Sequence, residues 1–245
     1  MDHAEYVAAI EREGARMERA ARASGIDAPV PSCPGWTVTD LLQHVGRLHR
    51  WVAELVRDRV RDVDRWWNDL EPPPPTPDLV EWFAEGYPLL ARELADAGPD
   101  EPVWSWTPFA TTGFWARRQA NELAVHRWDG EGALGPAAVA PIEPAQAVDA
   151  VDEVLELLPH RRRPAEIRGD GETIHLHATD IDGEWLIRLE PDGATFTREH
   201  TKGDVAARGS ASDLLLLLVG RVAPSTVETF GDVALLDRWQ RDAAW

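Results

Sequence analysis

The chain contains one cysteine, Cys33, so no disulfide can form within it. That scarcity suits a reducing compartment. Lysine is nearly absent as well: of the 25 basic residues, only Lys202 is a lysine. This skew looks like a GC-rich coding background rather than a functional signal. Positive charge is scarce altogether, with 43 acidic residues giving a net charge of -18. Such a surface repels phosphate backbones and anionic lipid, so neither nucleic acid nor a membrane is an expected partner. The one basic run, His160-Arg161-Arg162-Arg163, ends an expected helix, where cations complement the helix dipole. Long apolar runs are missing too. Leu214 to Val219 is the longest, against the roughly 20 residues that a bilayer requires. Met1 to Ala23 is rich in Glu and Arg and lacks the apolar core of a signal peptide. A cytoplasmic location is expected. Oligomeric state is not legible.

What is present points to a folded chain. The sequence has 245 residues, long for one domain and ample for two. Apolar residues at 44% and 12 tryptophans supply enough surface to bury a core, which excludes wholesale disorder.

The first half reads as helices joined by proline-rich loops. Tyr6, Ala9, Ile10 and Met17 fall at helical spacing over residues 2–24, with Gly25 just beyond. The stretch Pro29-Val30-Pro31-Ser32-Cys33-Pro34-Gly35-Trp36 forbids a regular element. Thr37 and Asp40 then form a capping signature for a helix carrying Leu41, Val45, Leu48, Val52 and Val56 to about residue 62. Glu71 to Pro75 is a stiff spacer, and Thr76 caps a third expected helix that runs to about Ala97 with Pro77 in its first turn. A Trp-rich loop, Val103 to Gly113, leads into a fourth helix towards Gly130. Residues 131–143 read as a linker.

Beyond it the pattern changes. Residues 144–159 suit a helix. Thr173 to Thr179 and Glu184 to Glu190 alternate as strands around the turn signal Asp182-Gly183. Residues 193–198 and 203–208 read as further strands, 211–221 and 235–238 as helices. The expected architecture is an all-α domain, 1–135, followed by a small α+β domain, 144–245, with a mostly antiparallel sheet.

Glu122 and His126 stand four apart on the fourth helix and therefore share a face. His44 lies at the edge of the second helix's apolar stripe, where facing helices can bring a third ligand onto such a pair. Two neutral imidazoles and a carboxylate suit Zn²⁺, Fe²⁺ or Ni²⁺ and leave an open position for a small thiol or a water. Glu-x-x-x-His is common on helices, and spacing by itself does not select it as a site.

Longer motifs do more. Ser32-Cys33-Pro34-Gly35-Trp36-Thr37-Val38-Thr39-Asp40-Leu41-Leu42-Gln43-His44-Val45 and Asn121-Glu122-Leu123-Ala124-Val125-His126-Arg127-Trp128-Asp129 resemble the two signatures of the mycothiol-dependent maleylpyruvate isomerase family. Gly209-Ser210-Ala211-Ser212-Asp213-Leu214 to Gly220-Arg221, with Phe230-Gly231-Asp232, resembles the family's second domain. The resemblance implies a DinB-like four-helix bundle followed by a sterol-carrier-like α+β domain. It implies that His44, Glu122 and His126 hold a divalent metal, taken as zinc. It also implies mycothiol, the cytosolic thiol of actinobacteria, as cosubstrate, and a catalytic arginine from the second domain, for which Arg221 is the candidate. The isomerisation requires a thiol to add to a cis double bond, permit rotation and leave. Arg47, Arg117 and Arg118 are candidate anchors for substrate carboxylates, each competing with a plain surface role.

Two other functions stay open at this point. One is a non-catalytic binder that holds an apolar ligand along Leu214 to Leu218, the other a metal-activated hydrolase. Cys33 is read as structural rather than nucleophilic, His49 as exposed, and His175 and His177 as surface residues lacking a third partner. Asp129 is a candidate to orient a ligand or to cap the helix end. Trp104, Trp106 and Trp115 are read as core.

Overall fold

A computed structural model describes residues 1–62, 72–75, 78–160 and 167–242. The chain divides into two compact units, Met1–Ala140 and Pro141–Trp245.

The first unit is a bundle of α1 (His3–Ser24), α2 (Val38–Arg57), α3 (Leu79–Ala97) and α4 (Thr112–Gly132). Local chemistry sets the helix starts. Asp2 and Glu5 form a reciprocal capping box on α1, and Thr37 and Asp40 form another on α2. The α2 helix ends at Arg57, short of the expected residue 62. Its last turn closes on Asp58, and Arg59 takes a positive φ that a continuing helix does not allow. The expected cap of α3 at Thr76 and Pro77, and the spacer residue Glu71, lie outside the described residues, as do Arg161 to Arg163.

α1 packs on α3 and α4, and α2 packs on the same pair. The interior is filled by Ile10, Met17, Leu41, Leu42, Phe83, Leu90 and Leu123. Each such side chain contributes roughly 1.5–3 kcal/mol by leaving water. Glycine sets two close approaches. A Cβ on Gly14 would sit 2.4 Å from the Tyr87 ring, and one on Gly46 would sit 2.3 Å from Trp82. A buried ion network ties α1 to α4. The Arg127 guanidinium, fully buried, donates to Glu13 at 2.7 Å and to Glu131 at 3.0 Å, and Arg16 grips Glu131 from the other side. Glu131 is thus helical and buried, whereas the sequence suggested that the linker began there.

The second unit opens with α5 (Pro144–Leu157) and builds a mixed sheet from β1 (Thr173–Ala178), β2 (Glu184–Glu190), β3 (Gly193–Thr197), β4 (Val205–Gly209) and β5 (Glu228–Gly231). The strand order is β3-β2-β1-β4-β5, antiparallel except for the central β1–β4 pair. β5 was not legible: its four residues are mostly exposed and lack a buried alternation. α6 (Ala211–Leu218) and α7 (Ala234–Asp242) complete the unit. Leu214 to Leu218 are all buried and serve as core. Among the described residues no helix is long and apolar enough to cross a membrane.

Candidate metal centre

Glu122 and His126 lie one turn apart on α4, and the His126 Nε2 stands 3.2 Å from Glu122 Oε1. α2 brings His44 to the same oxygen, with its Nε2 at 3.5 Å. Donor atoms of all three residues lie within 4.8 Å of one another. The two imidazoles meet edge to face with centroids 5.1 Å apart, and Trp36 packs against His44 at 5.3 Å. The cluster is graded in exposure. The His126 side chain is 8% exposed and that of His44 31%, so the cluster is more open on the His44 side.

Surrounding residues orient the cluster. Asp129, fully buried, faces the His126 Nδ1 at 2.9 Å through Oδ2, while the Ser32 hydroxyl donates to its Oδ1 at 2.6 Å. A carboxylate only accepts, so a proton on Nδ1 serves Asp129, and Nε2 is the ring nitrogen turned toward Glu122. This carboxylate–histidine pairing is the arrangement that fixes ligand tautomers in metal sites. Of the two roles weighed for Asp129, the structure thus places it against His126. Arg118, one turn before Glu122 on α4, pairs with Glu122 Oε2 and leaves Oε1 facing the histidines. Ser32 lies within the quoted signature, but nothing in its sequence position signals the long-range bond to Asp129.

The remaining candidates fall as follows. Arg47, Arg117 and Arg118 are half-buried. Arg221 lies in the second unit just past α6, and its guanidinium donates to the Val219 carbonyl at 3.2 Å. Cys33 is half-buried, its backbone closing turns with Val30 and Trp36 and its side chain packed against the bundle core. Trp115 is fully buried and rings contact it from Trp51, Trp104 and Trp106, though Trp106 itself is exposed.

Two expectations are corrected. His49 is not exposed but 1% accessible, with its ring 5.9 Å from Phe83, because α3 covers the face of α2 that turns away from His44. Burial lowers its pKa to about 3. His175 is likewise buried, and Glu184 and His200 approach it.

The fold and the cluster define a helical-bundle protein with a candidate divalent-metal centre, followed by a mixed-sheet domain. Family models match over most of the chain: the mycothiol maleylpyruvate isomerase N-terminal domain over residues 7–130, and the C-terminal domain of the same family over residues 145–238. The chain belongs to the mycothiol maleylpyruvate isomerase family. Its fold is similar to the crystal structure of the mycothiol-dependent maleylpyruvate isomerase, with a TM-score of 0.60 at 13% identity over 94% of this chain and 93% of that one. A mutant of that isomerase gives a TM-score of 0.56 at 14% identity over the same shares. No curated protein matches the chain.

Proposed function

We propose that the protein is a divalent-metal-dependent enzyme that uses a low-molecular-weight thiol, mycothiol, for isomerisation or thiol transfer on a small electrophile. The observation that carries this is the convergence of His44, Glu122 and His126, from two helices, with donor atoms within 4.8 Å. Family membership supports the choice of thiol.

The donor set fits a zinc-class ion. Two imidazoles and a carboxylate are the ligand types such ions take, and the Asp129 carboxylate stands behind one imidazole at its Nδ1. A bound ion would supply a Lewis-acidic position that lowers the pKa of a thiol from its free value of about 8.5. The chain's own residues do the rest. Asp129 braces the His126 ring from its Nδ1 side and sets its orientation. Arg118 pairs with Glu122 Oε2 and so holds the carboxylate with Oε1 toward the two histidines. Arg47 on α2 and Arg117 on α4 are the further cations we assign to substrate carboxylates. Arg221 is our candidate for the catalytic arginine from the second unit. Its test is Arg221→Lys, which should lower kcat with metal content unchanged.

The decisive experiment compares metal content of the wild type with His126→Ala, then titrates mycothiol into cobalt-loaded protein. A thiolate-to-cobalt charge-transfer band that His44→Ala, Glu122→Ala and His126→Ala each abolish is the expected result. No band from a fully metal-loaded wild type refutes thiol activation at this centre.

A further inference from the structure

The second unit contains a group of chemistry-bearing side chains that the helical centre does not use. His175 and His177 lie two apart on β1 and so project to one face of the sheet. β2 pairs antiparallel with β1 in a register that sets Glu184 directly opposite His177, on that same face. The segment after β3 brings His200 over it. Glu184 is the hub: its Oε1 meets His177 Nδ1 at 2.7 Å, its Oε2 meets His200 Nδ1 at 2.6 Å, and His175 Nε2 stands 3.5 Å from Oε2. The three imidazole centroids are 5.7–6.3 Å apart.

We propose that His175, Glu184 and His200 form a second divalent-metal site, for an ion of the zinc class, within the sheet unit. His177 holds the other oxygen of Glu184 and acts as its positioning residue.

Three independent observations carry this. Donor atoms of the three residues lie within 4.8 Å of one another. Ligands around a tetrahedral zinc with bonds of about 2.0–2.1 Å are about 3.4 Å apart, so small side-chain shifts complete the site. Next, His175 is only 7% exposed and its Nε2 makes no hydrogen bond, although it points at the Glu184 carboxylate. A buried imidazole nitrogen without a hydrogen bond is uncommon, and its 3.5 Å separation from the Glu184 carboxylate matches the spacing of two ligands on one ion. Finally, the His200 side chain is 80% exposed and follows the end of β3, so it closes on an ion without disturbing the core. Nitrogen donors favour zinc-class ions over Mg²⁺ or Ca²⁺, which take oxygen.

The test is metal stoichiometry of the full chain after loading with one to three equivalents of Zn²⁺ and desalting. His200→Ala should bind one equivalent fewer than wild type, whatever the helical centre holds. His126→Ala should retain one equivalent, and cobalt loaded into it should give visible d–d bands that His126→Ala/His200→Ala lacks. Zinc affinity at the sheet site should fall at least a hundredfold in His200→Ala, and circular dichroism should match wild type, since His200 is exposed. His175→Asn, which keeps a buried polar side chain, should lose the same equivalent. If His200→Ala and His175→Asn bind as much zinc as wild type, the second site does not exist. That result would leave the helical centre standing. Loss of metal in His126→Ala with retention in His200→Ala would refute only the sheet site.

Discussion

Replacing Asp129 with asparagine tests whether the helical cluster is built as a metal centre. In the structure the buried Asp129 carboxylate spans His126 Nδ1 at 2.9 Å and Ser32 Oγ at 2.6 Å. Removing such a support behind a ligating histidine weakens metal binding by about 10- to 100-fold, which is about 1.4–2.8 kcal/mol. Asparagine is nearly the same shape. Its carbonyl oxygen can still accept from Nδ1–H, and its amide can turn to the Ser32 hydroxyl, which also accepts. Only the charge is lost, so the effect should lie near tenfold. Asp129→Ala removes both acceptors and leaves the buried His126 Nδ1 and the half-buried Ser32 hydroxyl without them. It should approach a hundredfold and also cost about 1–3 kcal/mol of folding stability. Zinc competition against a chromogenic chelator measures both, carried out in a His200→Ala background so that only the helical centre reports. An asparagine variant that binds zinc within twofold of wild type would refute the proposed role of Asp129. Weaker binding by alanine than by asparagine is a second requirement of the same argument.

His49 makes a pH prediction. Its folded-state pKa is about 3 against 6.5 in the unfolded chain, so only the unfolded state takes up its proton between those values. Stability is therefore full above pH 6.5 and falls by about 1.4 kcal/mol per pH unit below it, until the folded pKa is reached. In urea unfolding, His49→Leu should show a shallower loss of stability between pH 6 and 4 than wild type, and equal slopes would contradict this. Arg127→Met removes the fully buried cation that joins Glu13 to Glu131, leaving those carboxylates only the partly exposed Arg12 and Arg16, and should lower the unfolding free energy by about 3 kcal/mol; a change under 1 kcal/mol would show that the network relaxes. Gly46→Ala drives a methyl group into Trp82 and should cost about 1–3 kcal/mol, read from the shift in denaturant midpoint.

The sequence by itself determined what short-range chemistry controls. The Thr37–Asp40 capping box, the apolar stripe of α2, the alternation of β1 and β2 and the shared face of Glu122 and His126 all act within a few residues. Composition excluded disulfides, and the two signature stretches pointed to the family. Tertiary structure alone decided the long-range partners. His44 meets Glu122 across 78 positions, and Ser32 meets Asp129 across 97. The burial of His49 depends on where α3 lies. The parallel pairing of β1 with β4 depends on the path of the strands between them, and β5 pairs with β4 without a hydrophobic pattern of its own. His175 and His177 were visible as a pair, but Glu184 and His200 join them only through strand register and the chain after β3. Helix and strand periods state which face a residue occupies. What it meets there is set by packing between segments distant in sequence, because burial and hydrogen bonding are satisfied in space rather than along the chain.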